Sequence, residues 1–213
     1  MDMMRVVTKI EELDKKRSKV FVDYEFAFVL YKGEIKQYKV KIGEAMEENV
    51  YLEIVNNILP KRAKKRCLNL LQKRPYTESK LRQKLEEGFY SGEAIEEAIN
   101  YVKSFRYIDD YEYACQYIFY HKSGESRRKM EEKLISKGVT KEILLKAFHD
   151  SYWEEEEQDL ELELAKKLLE KKKYDAQSTD RKEKQKIYAF LVRNGISSST
   201  IRKVLSINFI QIV

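Results

Sequence analysis

Between Lys61 and Lys84 the chain carries ten lysines and arginines against a single carboxylate, Glu78. That stretch alone holds +9, while the whole 213-residue chain holds +6. Charge concentrated in this way suits contact with a polyanion or with an acidic protein face. If the cations meet phosphates, each contact steepens the salt dependence of binding by about 0.7–0.9 in log–log slope. Two smaller clusters follow. Lys129, Lys133 and Lys137 recur every four residues and so share one helix face, whereas Arg127 with Glu131 and Arg128 with Glu132 have the spacing of ordinary intrahelical ion pairs. Arg181, Lys182, Lys184 and Lys186 form the third cluster.

Residue types for catalysis are sparse. His121 and His149 stand in no Cys/His/Asp spacing that would hold a metal, and the seven glycines form neither GxxxxGK nor GxGxxG. No enzyme activity, metal or cofactor is expected. The run Glu154–Glu157, continued by Asp159, Glu161 and Glu163, points all round a helix axis. It reads as the solvated start of a helix or as a contact face for a basic partner. Cys67 and Cys115 read as reduced thiols in a cytoplasmic setting. No apolar run approaches the roughly 20 residues that a membrane span needs. Tyr113 and Tyr117, four apart within a tyrosine-rich stretch, are expected to pack between units rather than to stack on bases.

The elements that must position these charges come from a repeat. With Leu85, Leu134 and Leu191 aligned, Ser91, Thr140 and Ser197 fall six residues later. Ile95, Leu144 and Ile201 fall ten later, and Ile99, Phe148 and Leu205 fourteen later. One helical unit is used three times. Gly88, Gly138 and Gly195 sit where a helix must end in the left-handed conformation, and the Ser or Thr sits where the next begins. Helices are predicted at about 61–73, 77–87 and 91–105, then 109–122, 126–137 and 140–151, then 154–173, 180–194 and 197–206. Thr77 is the expected N-cap of the second. The linker Asp175–Asp180 is the most loop-like stretch.

Before the repeats, Val20, Val22, Tyr24, Phe26, Phe28 and Leu30 alternate with other residues at period two, predicting a hairpin that turns near Asp23 and Tyr24. Val6, Thr8 and Ile10 predict a further strand. Helical spacing resumes from Glu47 to Leu59, and Pro60 is expected to bend or close that helix. The organisation read from these patterns is an N-terminal hairpin and helix module over 1–59 and three-helix repeats over 60–107, 108–152 and 153–213. The fold class is mainly α, with tandem repeats forming an elongated, curved array. Three aligned anchors at roughly 1.5–3 kcal/mol each do not offset a backbone ordering cost of about 1–2 kcal/mol per residue. Stacking between units is therefore expected to supply part of the stability. The apolar tail Ile207, Phe209, Ile210, Ile212 and Val213 is expected to cap a core.

Three segments resemble one known family. The first is VTKIE with VFVDYEFAF and YKVKIG; the second is RPYTESKLRQKLEEGF, with Arg74, Tyr76, Thr77, Leu81, Lys84 and Leu85 in the signature positions. The third is YIDDYEYACQYI, with Asp109, Asp110, Tyr113, Ala114 and Tyr117. With MEEKLISKGV, these resemble the RecX regulatory proteins of bacteria, which modulate the recombinase RecA. The chain departs from the family at Tyr24 and Arg106, where Gly is frequent, and at Ser126-Arg127. What the resemblance implies is a non-enzymatic, monomeric protein that lodges in the helical groove of a RecA filament on single-stranded DNA. It is expected to restrain RecA ATP hydrolysis, strand exchange and coprotease activity, and to bind single- or double-stranded DNA weakly. Arg74, Lys80, Arg82 and Lys84 are the residues expected to meet the partner or its phosphates, with Lys129, Lys133 and Lys137 second. The competing reading is a direct DNA-binding protein with helix-turn-helix-like units.

Overall fold

β-branched and aromatic residues at period two make three strands before the first helix: β1 (Arg5–Glu12), β2 (Arg17–Val22) and β3 (Glu25–Tyr31). The computed structural model describes residues 5–151, 154–175 and 181–210, and it forms two compact units, Met1–Asp109 and Asp110–Val213. A short β4 (Ala45–Met46) completes an antiparallel sheet of order β3-β2-β1-β4. The β2–β3 turn uses Asp23 (φ 50°) and Tyr24 (φ 69°), both left-handed, the sense that matches strand twist in a two-residue hairpin. Asp23 Oδ1 accepts from Val6 N at 2.9 Å and Thr8 Oγ1 from Tyr24 N at 3.0 Å, so β1 holds the turn.

A register shift at Val20/Phe21 and the turn itself break the expected alternation. Val20, Val22, Phe28 and Leu30 reach the core, while Phe26 is half-exposed and Tyr24 fully exposed. The chain then makes a helix that its period did not announce, α1 (Lys32–Gln37), whose start is held by Glu34 Oε2 accepting from Tyr31 N at 2.7 Å.

Pro60 does not close a helix. Helix α2 (Glu48–Glu53) passes through a wider π-type turn at Ile54–Ile58 into α3 (Leu59–Leu71), with Leu59 N donating to Ile54 O, five residues back. Loosening the backbone there makes room for the pyrrolidine ring, which would otherwise press on the Asn56 carbonyl. One apolar core spans this junction. It runs from Val7, Val20, Phe28 and Leu30 of the sheet to Leu81, Leu85, Ile95, Ile99 and Val102. The burial that three helices lack is supplied in the first unit by the strands.

The remaining helices are α4 (Glu78–Glu86) and α5 (Gly92–Ser104), then α6 (Asp110–His121), α7 (Arg127–Ser136) and α8 (Lys141–Ser151), then α9 (Glu154–Lys171), α10 (Arg181–Arg193) and α11 (Ser198–Ile210). In each set the first and third helices pack together and the middle one crosses both: α3 on α5, α6 on α8, α9 on α11. Leu85, Leu134 and Leu191 are fully buried in three separate cores, and Ile95, Leu144 and Ile201 are buried beside them. Tyr113 and Tyr117, expected to pack between units, lie against the core of their own three-helix set. Linker residues 176–180, and the side chains of the apolar tail at Ile207, Phe209, Ile210, Ile212 and Val213, lie outside the described residues.

Helix-end chemistry repeats with the apolar positions. The carbonyl of each aligned leucine accepts from the backbone N five residues later: Tyr90 N to Leu85 O (3.3 Å), Val139 N to Leu134 O (3.1 Å) and Ile196 N to Leu191 O (3.1 Å). This is the Schellman closure, which needs a left-handed residue just before the donor. Gly138 (φ 86°) and Gly195 (φ 81°) fill that place, but in the first unit Phe89 (φ 62°) does, not Gly88. Gly88 stands one residue early in the alignment. Ser91, Thr140 and Ser197 each cap the next helix, accepting from Ala94 N, Ile143 N and Thr200 N at 3.2–3.4 Å, and Thr77 accepts from Lys80 N at 3.3 Å as expected. Arg106 (φ 54°) closes α5 in the same way, with Tyr107 N on Val102 O at 2.9 Å.

Two sets of substitutions test this account by urea denaturation. Arg106→Gly, which relieves a left-handed side chain exposed to solvent, should raise stability by about 0.5–1 kcal/mol. Gly138→Ala should lower it by about 1–2 kcal/mol. Gly195→Ala should cost more than Gly138→Ala, because its new Cβ would also run into Ser126 Oγ. Equal losses at the two glycines would remove Ser126 from the explanation.

Candidate functional site

The basic stretch falls on α3, the following turn and α4. Thr77, itself buried, fixes the start of α4, and Leu81 and Leu85 anchor one face in the core, which turns Lys80 and Lys84 toward the surface. Arg74 is exposed and stacks over Tyr76, 4.7 Å from the ring centroid. Lys80 Nζ donates to Gln83 Oε1 at 3.1 Å, and Lys84 Nζ lies 2.5 Å from Glu87 Oε2.

Arg82 has a different position from its neighbours. Its guanidinium takes Glu96 with two nitrogens, Nη2 to Oε2 at 3.0 Å and Nη1 to Oε1, and donates from Nε to Glu78 Oε1 at 2.9 Å. Lys103 Nζ reaches the other Glu78 oxygen at 2.7 Å. These bonds hold the Arg82 guanidinium protonated more firmly than usual, the Glu96 contact contributing most. They hold the Glu78 carboxyl below the usual carboxylate range, with Lys103 the larger cause. Arg82 thus ties α4 to α5.

The more available cations are others in the same stretch. Lys61, Lys65, Arg66, Lys73 and Arg74 are exposed and pair with no carboxylate among the described residues. By contrast Arg62 is half-buried, donating to Glu34 (3.1 Å) and to the Val29 carbonyl (2.7 Å), and Lys64 pairs with Glu97 at 2.7 Å. Spacing marks Lys61 and Lys65 as neighbours on one helix stripe. It does not reveal that Arg62 and Arg82 have carboxylates waiting on α1 and α5.

In the second three-helix set, Lys129 and Lys133 follow one another along α7, and Lys137 stands at its C-cap. Lys129 Nζ donates to Asn194 Oδ1 at 2.7 Å, and Lys133 Nζ takes both Glu125 oxygens at 2.7 and 2.8 Å, which holds its ammonium above the usual range. Lys137 Nζ sits 5.9 Å from the Tyr113 ring centroid. The predicted pairs Arg127–Glu131 (2.9 Å) and Arg128–Glu132 (3.0 Å) are both formed. Two members of the acidic run, Glu156 and Glu157, face this set. Glu156 Oε1 lies 2.6 Å from Lys122 Nζ, and Glu157 Oε2 lies 2.9 Å from Arg127 Nη1. A polar cleft of about 770 Å³ opens between the second and third sets, lined by Lys122, Arg127, Glu157, Glu161, Ser197 and Lys203. In the third set, Lys182 and Lys186 are exposed along α10.

The remaining titratable groups sit in structural settings. His121 stacks on Tyr117, ring centroids 4.0 Å apart, with Nδ1 2.7 Å from the Tyr117 carbonyl. His149 is exposed beside Asp150. Burial pushes the Cys67 thiol up to about 11, and neither it nor Cys115 forms a disulfide. No helix of the described residues is long and apolar enough to cross a membrane.

Comparison with known proteins agrees with this geometry. Residues 63–101, on α3–α5, match the family description "RecX, first three-helix domain", and residues 159–205, on α9–α11, match "RecX, third three-helix domain". A crystal structure titled as that of regulatory protein RecX superposes with a TM-score of 0.61 at 23% identity, over 95% of this chain and 99% of its own. A second, of RecX from Lactobacillus salivarius, gives 0.59 at 21% identity, over 72% of this chain and 98% of its own. The Regulatory protein RecX of Caldanaerobacter subterraneus subsp. tengcongensis is 31% identical over 204 residues, which is 95% of this chain and 99% of the relative. With three capped three-helix sets, a sheet built into the first, and a relative this similar along its whole length, the chain belongs to the RecX family of regulatory proteins.

Proposed function

We propose that this protein regulates the RecA recombinase by binding the filament that RecA forms on single-stranded DNA, in its helical groove, and that it inhibits ATP hydrolysis, strand exchange and coprotease activity. In this reading it acts in the cytoplasm, as a monomer and without catalysis of its own, in homologous recombination, DNA repair and the SOS response. Family membership supports the regulatory role. The observation that carries the contact surface is the exposed, unpaired positive charge of the first three-helix set. Lys61, Lys65, Arg66, Lys73 and Arg74 need break no ion pair among the described residues before meeting an acidic partner or a phosphate. Concentrated charge of one sign speeds and orients encounter with an anionic filament more than it adds to affinity. Arg74, Lys80 and Lys84 are the proposed contact residues on this set, and Lys129, Lys133 and Lys137 the secondary ones. Arg82 belongs to the proposal as the residue that positions α4, through Glu78 and Glu96.

Titration into RecA on single-stranded DNA, read by ATP turnover, tests both parts. The wild-type chain should slow turnover. Arg74→Glu/Lys80→Glu/Lys84→Glu should need about tenfold more protein for half-inhibition, three surface charges at roughly 0.5 kcal/mol each, with helical circular dichroism unchanged. Undiminished inhibition would refute this surface. A wild-type protein that leaves turnover untouched, yet binds a preferred duplex sequence without RecA, would replace the reading with direct DNA recognition.

A further inference from the structure

Ser126, Lys129, Lys122 and Arg127 each reach from the second three-helix set to the third, and each does so as a donor. Ser126 Oγ donates to the Asn194 carbonyl (2.7 Å), Lys129 Nζ to Asn194 Oδ1 (2.7 Å), Lys122 Nζ to Glu156 (2.6 Å) and Arg127 Nη1 to Glu157 (2.9 Å). The second set therefore presents a corner of donors, and the third fills it with oxygens.

That corner has the properties of a phosphate site. It lies at the N-terminal end of α7, where the helix dipole is positive. Arg127 offers a planar fork and Lys122 and Lys129 offer point charges, the two kinds of donor that phosphate oxygens take. Arg127 is held in place by Glu131 at 2.9 Å and by the Phe148 ring, whose centroid is 4.8 Å from the guanidinium carbon. The contacts that fill the corner are polar and partly solvated. The apolar cores of the two sets have no residue in common. Salt screens such contacts, and a denser polyanion can displace them.

We infer that Glu156 and Glu157, near the start of α9, are an internal competitor for phosphate. Glu156 and Glu157 occupy, on the second three-helix set, the positions at which backbone phosphates of a single-stranded nucleic acid bind, so these two carboxylates lower the affinity of the chain for that ligand until they are displaced. The inference rests on the phosphate-contact part of the proposed function and needs no recombinase. It goes beyond that part by naming Lys122 and Arg127 and the carboxylates that mask them.

The test is binding of the full chain to a labelled oligothymidylate, followed by fluorescence anisotropy over a range of salt concentrations without RecA. Glu156→Gln/Glu157→Gln should bind about three- to tenfold more tightly at low salt, with a log–log salt slope steeper by about 1–2. Glu163→Gln/Glu170→Gln removes the same charge from exposed positions on the same helix and should change affinity less than about twofold. Adding Lys122→Gln/Arg127→Gln to the first variant should abolish its gain. Equal gains in both glutamine pairs would reduce the effect to net charge and overturn the inference, and so would no gain in either. Absence of oligothymidylate binding by every variant at low salt would also overturn it, while the recombinase titration would still decide the proposed function by itself.

Discussion

A single leucine in each three-helix set performs two tasks, and the architecture depends on their coincidence. Leu85, Leu134 and Leu191 bury their side chains completely, and the carbonyl of each accepts the backbone N–H that reverses the chain out of the middle helix. Side-chain burial fixes where the helix stops, and the reversal places a Ser or Thr to cap the next helix one residue later. The third helix then returns to pack against the first in each set, from a starting point set by the leucine. A core built in this way tolerates wide surface variation. The charges can be redistributed between sets without disturbing the frame.

Much of this frame was readable from residues alone, for a physical reason. Helix ends and apolar periods are local, so Thr77, Ser91, Thr140 and Ser197 announce themselves, and the helices lie within a few residues of where spacing puts them. Non-local effects were less legible. Pro60 reads as a breaker, and only the wider turn upstream lets it sit within a continuous helix. Gly88 reads as the left-handed residue, yet the closure falls one position later on Phe89, whose ring lies 6.1 Å from that of Phe26. The extra residue on β3, Ala27, which opposes no residue between Val20 and Phe21, moves Phe26 out of the core face, a shift that alternation cannot reveal.

The candidate surface divides along the same line. Spacing located every basic cluster and the two intrahelical pairs on α7, because those are properties of one helix. Which cations stay available depends on carboxylates brought from elsewhere: Glu34 to Arg62, Glu96 to Arg82, Glu157 to Arg127. Arg82 reads like Arg74, Lys80 and Lys84 by sequence, and tertiary structure pairs it with Glu78 and Glu96. Lys61 and Lys65 look ordinary and remain open to the outside. The family assignment sets the biological frame, and these contacts distinguish the positions within it.

The continuous helix from Glu48 to Leu71, and the apolar interior it shares with the strands, make Met1–Asp109 one compact unit with a single core. The sheet cannot be trimmed away as an appendage, since removing it would strip one wall from the helices that carry the basic stretch. During synthesis those helices can collapse onto strands already made, so the positively charged surface matures together with its support. Evolution of this surface is thereby coupled to the hairpin: substitutions at Val20 or Phe28 would reach the cations of α3 through the interior, with no direct contact between them.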